Sequence, residues 1–177
     1  LINIEKAEPV YQKAIVGSRN KNFRPVIADQ KPFASAPVLL TTPNDPMLAS
    51  QWHYNNTGQT GGTTGADISL FDAWKNETGR PEVIVAIHDG GIQTDHPDLA
   101  ANMWRNSGEV PGNNLDDDNN GFIDDIHGYN FVNDTGEITW DDHGTHVAGT
   151  IGAVTNNGIG VAGVAGGIAS TGAGAGL

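Results

Sequence analysis

The sequence contains no cysteine, so a disulfide framework and every zinc site built on thiolates are excluded. Long apolar runs are also missing. The longest glycine-alanine-aliphatic stretch, residues 158–169, falls short of the roughly 20 residues a membrane-spanning helix needs. Basic residues are scarce, nine Lys/Arg against 21 Asp/Glu for a formal charge of −12. Such a chain is repelled by phosphate backbones, which argues against a nucleic-acid partner. What remains is 37% hydrophobic and only 17% charged, too apolar for a disordered polyelectrolyte. The 177 residues suit one domain with a real core.

The negative charge is concentrated. Residues 89–142 hold thirteen acidic side chains and one basic one, Arg105, while the rest of the chain sums to zero. Carboxylates so crowded repel one another unless a cation or a function neutralises them. At the N-terminus Leu1 is not preceded by a recognisable signal-peptide pattern. At the other end GGIASTGAGAGL reads as a low-complexity tail that cannot bury enough to order itself. The expected organisation is an N-terminal end and linker over 1–43, a folded portion over 44–165 and a glycine/alanine tail over 166–177.

Within the chain, residues 1–11 place Ile2 and Ile4 on one face before a proline, as a short edge strand does. Residues 12–46 carry prolines, glycines and basic residues with little periodicity and read as a linker. Asn55 to Gly65 is a turn-rich loop. Asp67 then caps a short helix with Ile68, Phe71 and Trp74 on one side and Gly79 as its stop. Val83 to Ile87 is a nearly continuous apolar run, as in a strand buried on both faces. Asp142 stands at an N-cap position before a helix with Val147, Ile151 and Val154 on one face, ended by Asn157 and Gly158, and residues 159–164 are extended. Helices and buried strands intermix, which points to the α/β class.

Two segments carry chemistry. In VIVAIHDGGIQTDHPDL a strand delivers Asp89 to its C-terminal end, where α/β proteins gather ligand and catalytic groups. An aspartate that merely opens a turn is the plainer reading. In DDHGTHVAGT His143 and His146 sit one helical turn apart. Zinc-hydrolase helices space their histidines by four with a glutamate between, and Gly144 and Thr145 supply none. One histidine capping the helix and one packed beneath it would also account for the pair.

Taken together, these segments resemble the aspartate and histidine boxes of the subtilisin-like serine peptidases, the subtilases, whose triad runs Asp, His, Ser along the chain. HGTHVAGT matches the family's histidine box, HPDL follows the aspartate at family spacing, and NDPMLASQW opens the region as mature subtilase domains open. The resemblance covers about Asn44 to Ala165. It implies a partial subtilisin-like α/β fold, a mostly parallel sheet flanked by helices. It also implies that Asp89 is the triad aspartate and His143 the general base, with His146 a structural neighbour. Asp89 then orients His143 and stabilises the cation formed when it takes a proton.

Two positions depart from the family pattern. Gly90 stands where Ser, Thr or Asp is usual and loses a side chain that could brace the turn. His88 replaces an aliphatic and would cost stability if buried unpaired. The serine box and oxyanion-hole asparagine are not among these residues, and Ser170 has no such context. IEKAEPVY resembles the last strand of an inhibitory propeptide as well as an ordinary edge strand.

Two calcium sites are expected. LDDDNNGFIDD places Asp116, Asp118, Asn120 and Gly121 at positions 1, 3, 5 and 6 of an oxygen-rich calcium loop, with the Phe122 carbonyl at position 7. His127 occupies the position of the closing glutamate, so Asp124 or Asp125 substitutes. The plain alternative is a solvated acidic turn. The resemblance alone implies the second site, from Gln51, Asp98, the Asn157 side chain and the Val154, Ile159 and Val161 positions.

The implied protein is a secreted, calcium-stabilised serine endopeptidase acting on protein or peptide substrates. Its Asp/His portion is present here and would act with the remaining C-terminal portion of the catalytic domain. The rival readings are a calcium-dependent adhesion module and a peptidase-like scaffold that has lost catalysis.

Overall fold

The computed structural model describes residues 42–168 and 172–177, all within one compact unit, Ala34–Leu177. The proposed edge strand or propeptide end, most of the linker and Ser170 lie outside the described residues. Two 3-10 turns, Leu48–Ser50 and Ala100–Asn102, accompany helix α1 (Leu70–Ala73), helix α2 (Asp142–Gly152) and a hairpin of β1 (Gly167–Ile168) with β2 (Gly172–Ala173). The hairpin is antiparallel. Among the described residues no helix is long and apolar enough to cross a membrane.

Helix α2 starts one residue earlier than the sequence suggests. Asp141, in extended backbone, is the N-cap, and its side chain accepts from Gly144 N, satisfying a donor that the first turn leaves free. The helix ends at Gly152, well before Asn157. Ala153 turns extended and Val154 N donates to Asp98 O at 2.8 Å, so the HPDL segment captures the next amide. Of the expected apolar positions Val154 is buried beyond the helix end and Ile151 packs against the core, but the fully buried positions within α2 are others. Gly144, Ala148 and Gly152 are buried, a four-residue repeat of minimal side chains that lets neighbouring segments approach closely. A Cβ on Gly152 would stand 2.9 Å from a Leu177 methyl.

One core cluster lies under this helix: Ile92, Leu99, Ala148, Ala153 and Leu177, with Ile87, Met103, Ile151 and Val161 partly buried around it. A second gathers Leu48, Tyr54, Leu70, Trp74, Ala162 and Ile168. In α1 Trp74 is buried as expected and Phe71 stacks on it at 5.5 Å, but Leu70 takes the core position and Ile68 is exposed. Asp67 does not cap α1. Ser69 is the N-cap, and the Asp67 carboxylate instead accepts from Asn56 N and Ser69 N, both at 2.7 Å. Those two amides hold it below the usual carboxylate range.

Val83 to Ile87 is not a strand buried on both faces. Ile84 makes one parallel bridge with Gly176, Val85 N and Gly176 N donate across it at 2.7 and 2.8 Å, and Val83 and Ile84 remain 48% and 56% exposed. No described element covers them. The C-terminal residues, by contrast, are better packed than their composition suggests. Leu177 is buried and exchanges backbone bonds with Asn102 and Trp104, both at 2.8 Å. A Cβ on Gly174 would meet the backbone of Gly166 and Gly167, so close approach replaces side-chain burial here. Residues 159–164, expected to be extended, form no strand.

The N-terminal segment of the described residues clamps the loop after α2. Asp45 accepts from Asn156 N and Asn157 N, Asn44 Oδ1 accepts from Gly158 N at 2.8 Å, and Met47 N donates to Gly160 O at 2.9 Å. Burial raises the Asp45 carboxyl above its usual range despite those amide bonds. Tyr54, 1% exposed, donates to Ala162 O at 2.9 Å, and burial pushes its hydroxyl up to about 12.

Candidate active site

Asp89 follows the 83–87 segment by two residues, and His143 stands in the first turn of α2. They are far apart in the chain, yet His143 Nδ1 lies 2.7 Å from Asp89 Oδ2. The Asp89 side chain is only 17% exposed, whereas that of His143 is 78% exposed. The pair therefore has its carboxylate tucked in, one ring nitrogen bound and the other ring edge open. Asp89 Oδ1 accepts from Gly90 N at 2.7 Å. That amide holds the carboxyl below its usual range, against the opposing effect of desolvation and with help from His143.

The turn that carries Asp89 is fixed by segment 139–145. Thr139 Oγ1 donates to Gly90 O at 3.0 Å, and Gln93 N donates to Thr145 Oγ1 at 2.9 Å. Gly91 has φ +141° and no room for a Cβ, because Thr139 O occupies that space. A Cβ on Gly144 would likewise run into Gly91 O and stand 3.1 Å from the Asp89 Cβ. The turn therefore does not depend on a side chain at 90. His88 is exposed, so it carries no burial cost. His146 is exposed on α2 and has no place in the Asp89–His143 contact.

The acidic loop is arranged differently from a sequential calcium loop. Asp118 and Asp125 converge with Glu109, their carboxylate oxygens within 4.8 Å of one another. Asn106 Nδ2 bonds Asp118 and Asp125, each at 2.9 Å, and Asn120 Nδ2 bonds the same two carboxylates at 3.2 and 3.0 Å. Asp116 accepts from Asn120 N and Gly121 N, while Asp124 accepts from Gly112 N and Asn114 N. Both are engaged with backbone turns and stand outside the cluster. Asn120 Oδ1 accepts from Phe122 N at 2.8 Å. Glu109, 5% exposed, was not singled out by the sequence. Alone between Ser107 and Pro111, it belongs to no acidic run, and only the fold brings it to Asp118.

In the second expected set Asp98 meets Asn157 and Val161, while Gln51 is engaged with Ala162. Asp98, 2% exposed, accepts from Asn157 Nδ2 at 2.8 Å and Val161 N at 2.9 Å. Gln51 Oε1 accepts from Ala162 N and its Nε2 donates to Ala162 O. Val154 is buried, and Ile159 N is bonded to Asn157 Oδ1 at 2.8 Å. Gln51, Asp98 and Val161 line one cleft with His146 and Trp140.

The model of the Subtilase family matches residues 80–175. Subtilisin-like protease 1 of Plasmodium berghei is 53% identical over 83 residues, 45% of this chain and 14% of that protein. PC3-like endoprotease variant B of Hydra vulgaris is 32% identical over 167 residues, 90% of this chain and 21% of its own length. An extracellular protease of Xanthomonas campestris is 39% identical over 133 residues, 70% of this chain and 21% of its own. A solved protease from Pseudoalteromonas arctica shares 35% identity over 72% of this chain and 37% of its own, with a TM-score of 0.45. The chain thus spans about a fifth or less of the curated relatives it matches. The family match takes in both Asp89 and His143 and more than half of the sequence: the chain belongs to the subtilase family.

Proposed function

We propose that the protein is a serine endopeptidase in which Asp89 and His143 are two members of an Asp-His-Ser triad. The observation that carries this reading is the 2.7 Å contact between His143 Nδ1 and Asp89 Oδ2 beside an open ring edge. With Nδ1 bound to the carboxylate, Nε2 is the nitrogen left to take the proton of a serine attacking a peptide carbonyl. It then returns that proton to the leaving amine. Asp89 holds the tautomer and stabilises the imidazolium between those steps. The nucleophile would come from the C-terminal portion of the catalytic domain. Without it the dyad has nothing to deprotonate, and the 177 residues alone would leave peptides intact.

Calcium stabilisation belongs to the same proposal. The donor set suits a hard cation that takes oxygen ligands: Glu109, Asp118 and Asp125 offer three carboxylates in one place, and Asp98 with Gln51 and Asn157 offers a second, less charged set. Glu109 replaces the Asp116 and Asp124 of the sequential reading. Bound calcium would neutralise part of the charge gathered in residues 89–142 and tie the acidic loop to the rest of the domain. Secretion is proposed from the likeness to the extracellular Xanthomonas protease. The test is hydrolysis of a quenched peptide library by the full-length protein and its His143→Ala variant. Cleavage by the first and not the second is expected; equal cleavage by both overturns the assignment.

A further inference from the structure

The space over Gly90 is occupied. A Cβ at this position would stand 2.8 Å from Asp141 Cγ and 2.9 Å from its Oδ2. Asp141 is itself fixed. Its Oδ1 accepts from Gly144 N at 2.9 Å, and its carbonyl accepts from Thr145 N at 3.0 Å and from Thr145 Oγ1. Thr145 in turn holds Gln93 N. One residue thus caps the helix that carries His143 and lies across the turn that carries Asp89. Its carboxylate also belongs to the reacting pair's surroundings, since oxygen and nitrogen atoms of Asp89, Asp141 and His143 lie within 4.8 Å of one another.

We propose that Asp141 is a positioning residue for the Asp89–His143 pair: it fills the place of the side chain that Gly90 lacks and adds a second negative charge within 4.8 Å of the imidazole. This rests on the peptidase reading and deepens it. When the serine proton passes to Nε2, the imidazole becomes a cation with two carboxylates within 4.8 Å. The repulsion between those carboxylates is relieved in the same step. Gly90 is then a requirement of Asp141, because any larger residue displaces the carboxylate from its cap. The other titratable groups are His88, Asp95, His96, Asp142 and His146 on the two segments that meet here, and Asp125, His127 and Tyr129 across the cavity that Asp89 lines. No hydrogen bond joins any of them to the Asp89 or His143 side chain.

The test uses the full-length protein and a peptide substrate, with kcat and KM measured from acid to alkaline pH. Asp141→Asn keeps a good N-cap residue and removes the charge. Losing one unit charge at about 5 Å in a water-like dielectric should move the acid limb of kcat/KM down by about half a pH unit, with KM unchanged. Gly90→Ala should lower kcat about tenfold or more, as an ångström-scale misplacement does. Adding Asp141→Gly to it should restore part of that loss, because the clash is gone. A wild-type pH profile in Asp141→Asn, or a double variant no better than Gly90→Ala, overturns the proposal. Melting curves confirm that each variant is folded. If the unaltered protein is inactive, or His143→Ala retains activity, it is the peptidase reading that fails.

Discussion

Replacing Glu109 with alanine should both weaken the domain and remove most of its response to calcium. Glu109 is 5% exposed. Its Oε1 accepts from Asp117 N at 2.9 Å and Asp118 N at 3.1 Å, and its Oε2 from Asp124 N at 3.1 Å. A hydrogen bond to an ionised group contributes about 1.5–3 kcal/mol. These donors sit in partly buried turns, where water takes over some of the lost bonding, so a net loss of about 3 kcal/mol follows. For a domain of this size that lowers the melting temperature by roughly 6–12 °C. If Glu109, Asp118 and Asp125 hold calcium, a further contribution disappears, about 2.7 kcal/mol at a free ion concentration a hundredfold above Kd. Scanning calorimetry of the full-length protein in EGTA and in calcium separates the two effects. The Glu109→Ala deficit should be larger in calcium than in EGTA, with Glu109→Gln intermediate. Equal deficits in both buffers would refute the metal assignment, and no deficit in EGTA would refute the bonding argument.

Other consequences follow from the same geometry. Asn102, 2% exposed, donates to Gly152 O and Gly166 O and accepts from Gly174 N. Asn102→Ala strands three buried groups and should cost about 3–5 kcal/mol by denaturant titration; a loss under about 1 kcal/mol contradicts the described hub. Gly144→Ala places a methyl against Gly91 O and the Asp89 side chain, so it should abolish peptide hydrolysis while most of the fold survives by circular dichroism. Asp89 and Asp67 both have lowered carboxyls. Their stabilisation is fully present above the ordinary value of 3.8 and is lost as pH falls through the lower folded values. Asp67→Asn should therefore flatten the fall in the urea midpoint below about pH 4. An unchanged slope would show that Asp67 plays no part in it. Asp45 works in the opposite sense. Its raised carboxyl makes ionisation costly in the folded state, and acidification relieves that cost.

The sequence was legible where function constrains spacing and local chemistry together. Asp89 before a glycine turn and His143 at a helix start are visible as boxes, and the structure brings their side chains into contact. The acidic loop was legible only as a concentration of charge. Counting carboxylates does not reveal which are consumed by nearby amides, as Asp116 is by Asn120 and Gly121, nor that a solitary Glu109 folds back onto Asp118. Helix α2 shows a related limit. Hydrophobic periodicity points to Val147, Ile151 and Val154, of which Ile151 packs against the core and Val154 is buried, but it does not reveal the close approach at Gly144 and Gly152, where the driving feature is the absence of side chain. Gly90 reads in sequence as a missing brace and in structure as room for Asp141. The apolar content of 83–87 points to a strand, and only one bridge of it forms among the described residues.

Whether Asp89 and His143 serve a serine nucleophile is read by fluorophosphonate labelling of the full-length protein followed by peptide mass spectrometry. A single labelled serine outside these 177 residues is expected, with labelling abolished in His143→Ala and slowed by orders of magnitude in Asp89→Asn. Labelling that is absent from the unaltered protein, or that proceeds at the same rate without His143, would contradict that role.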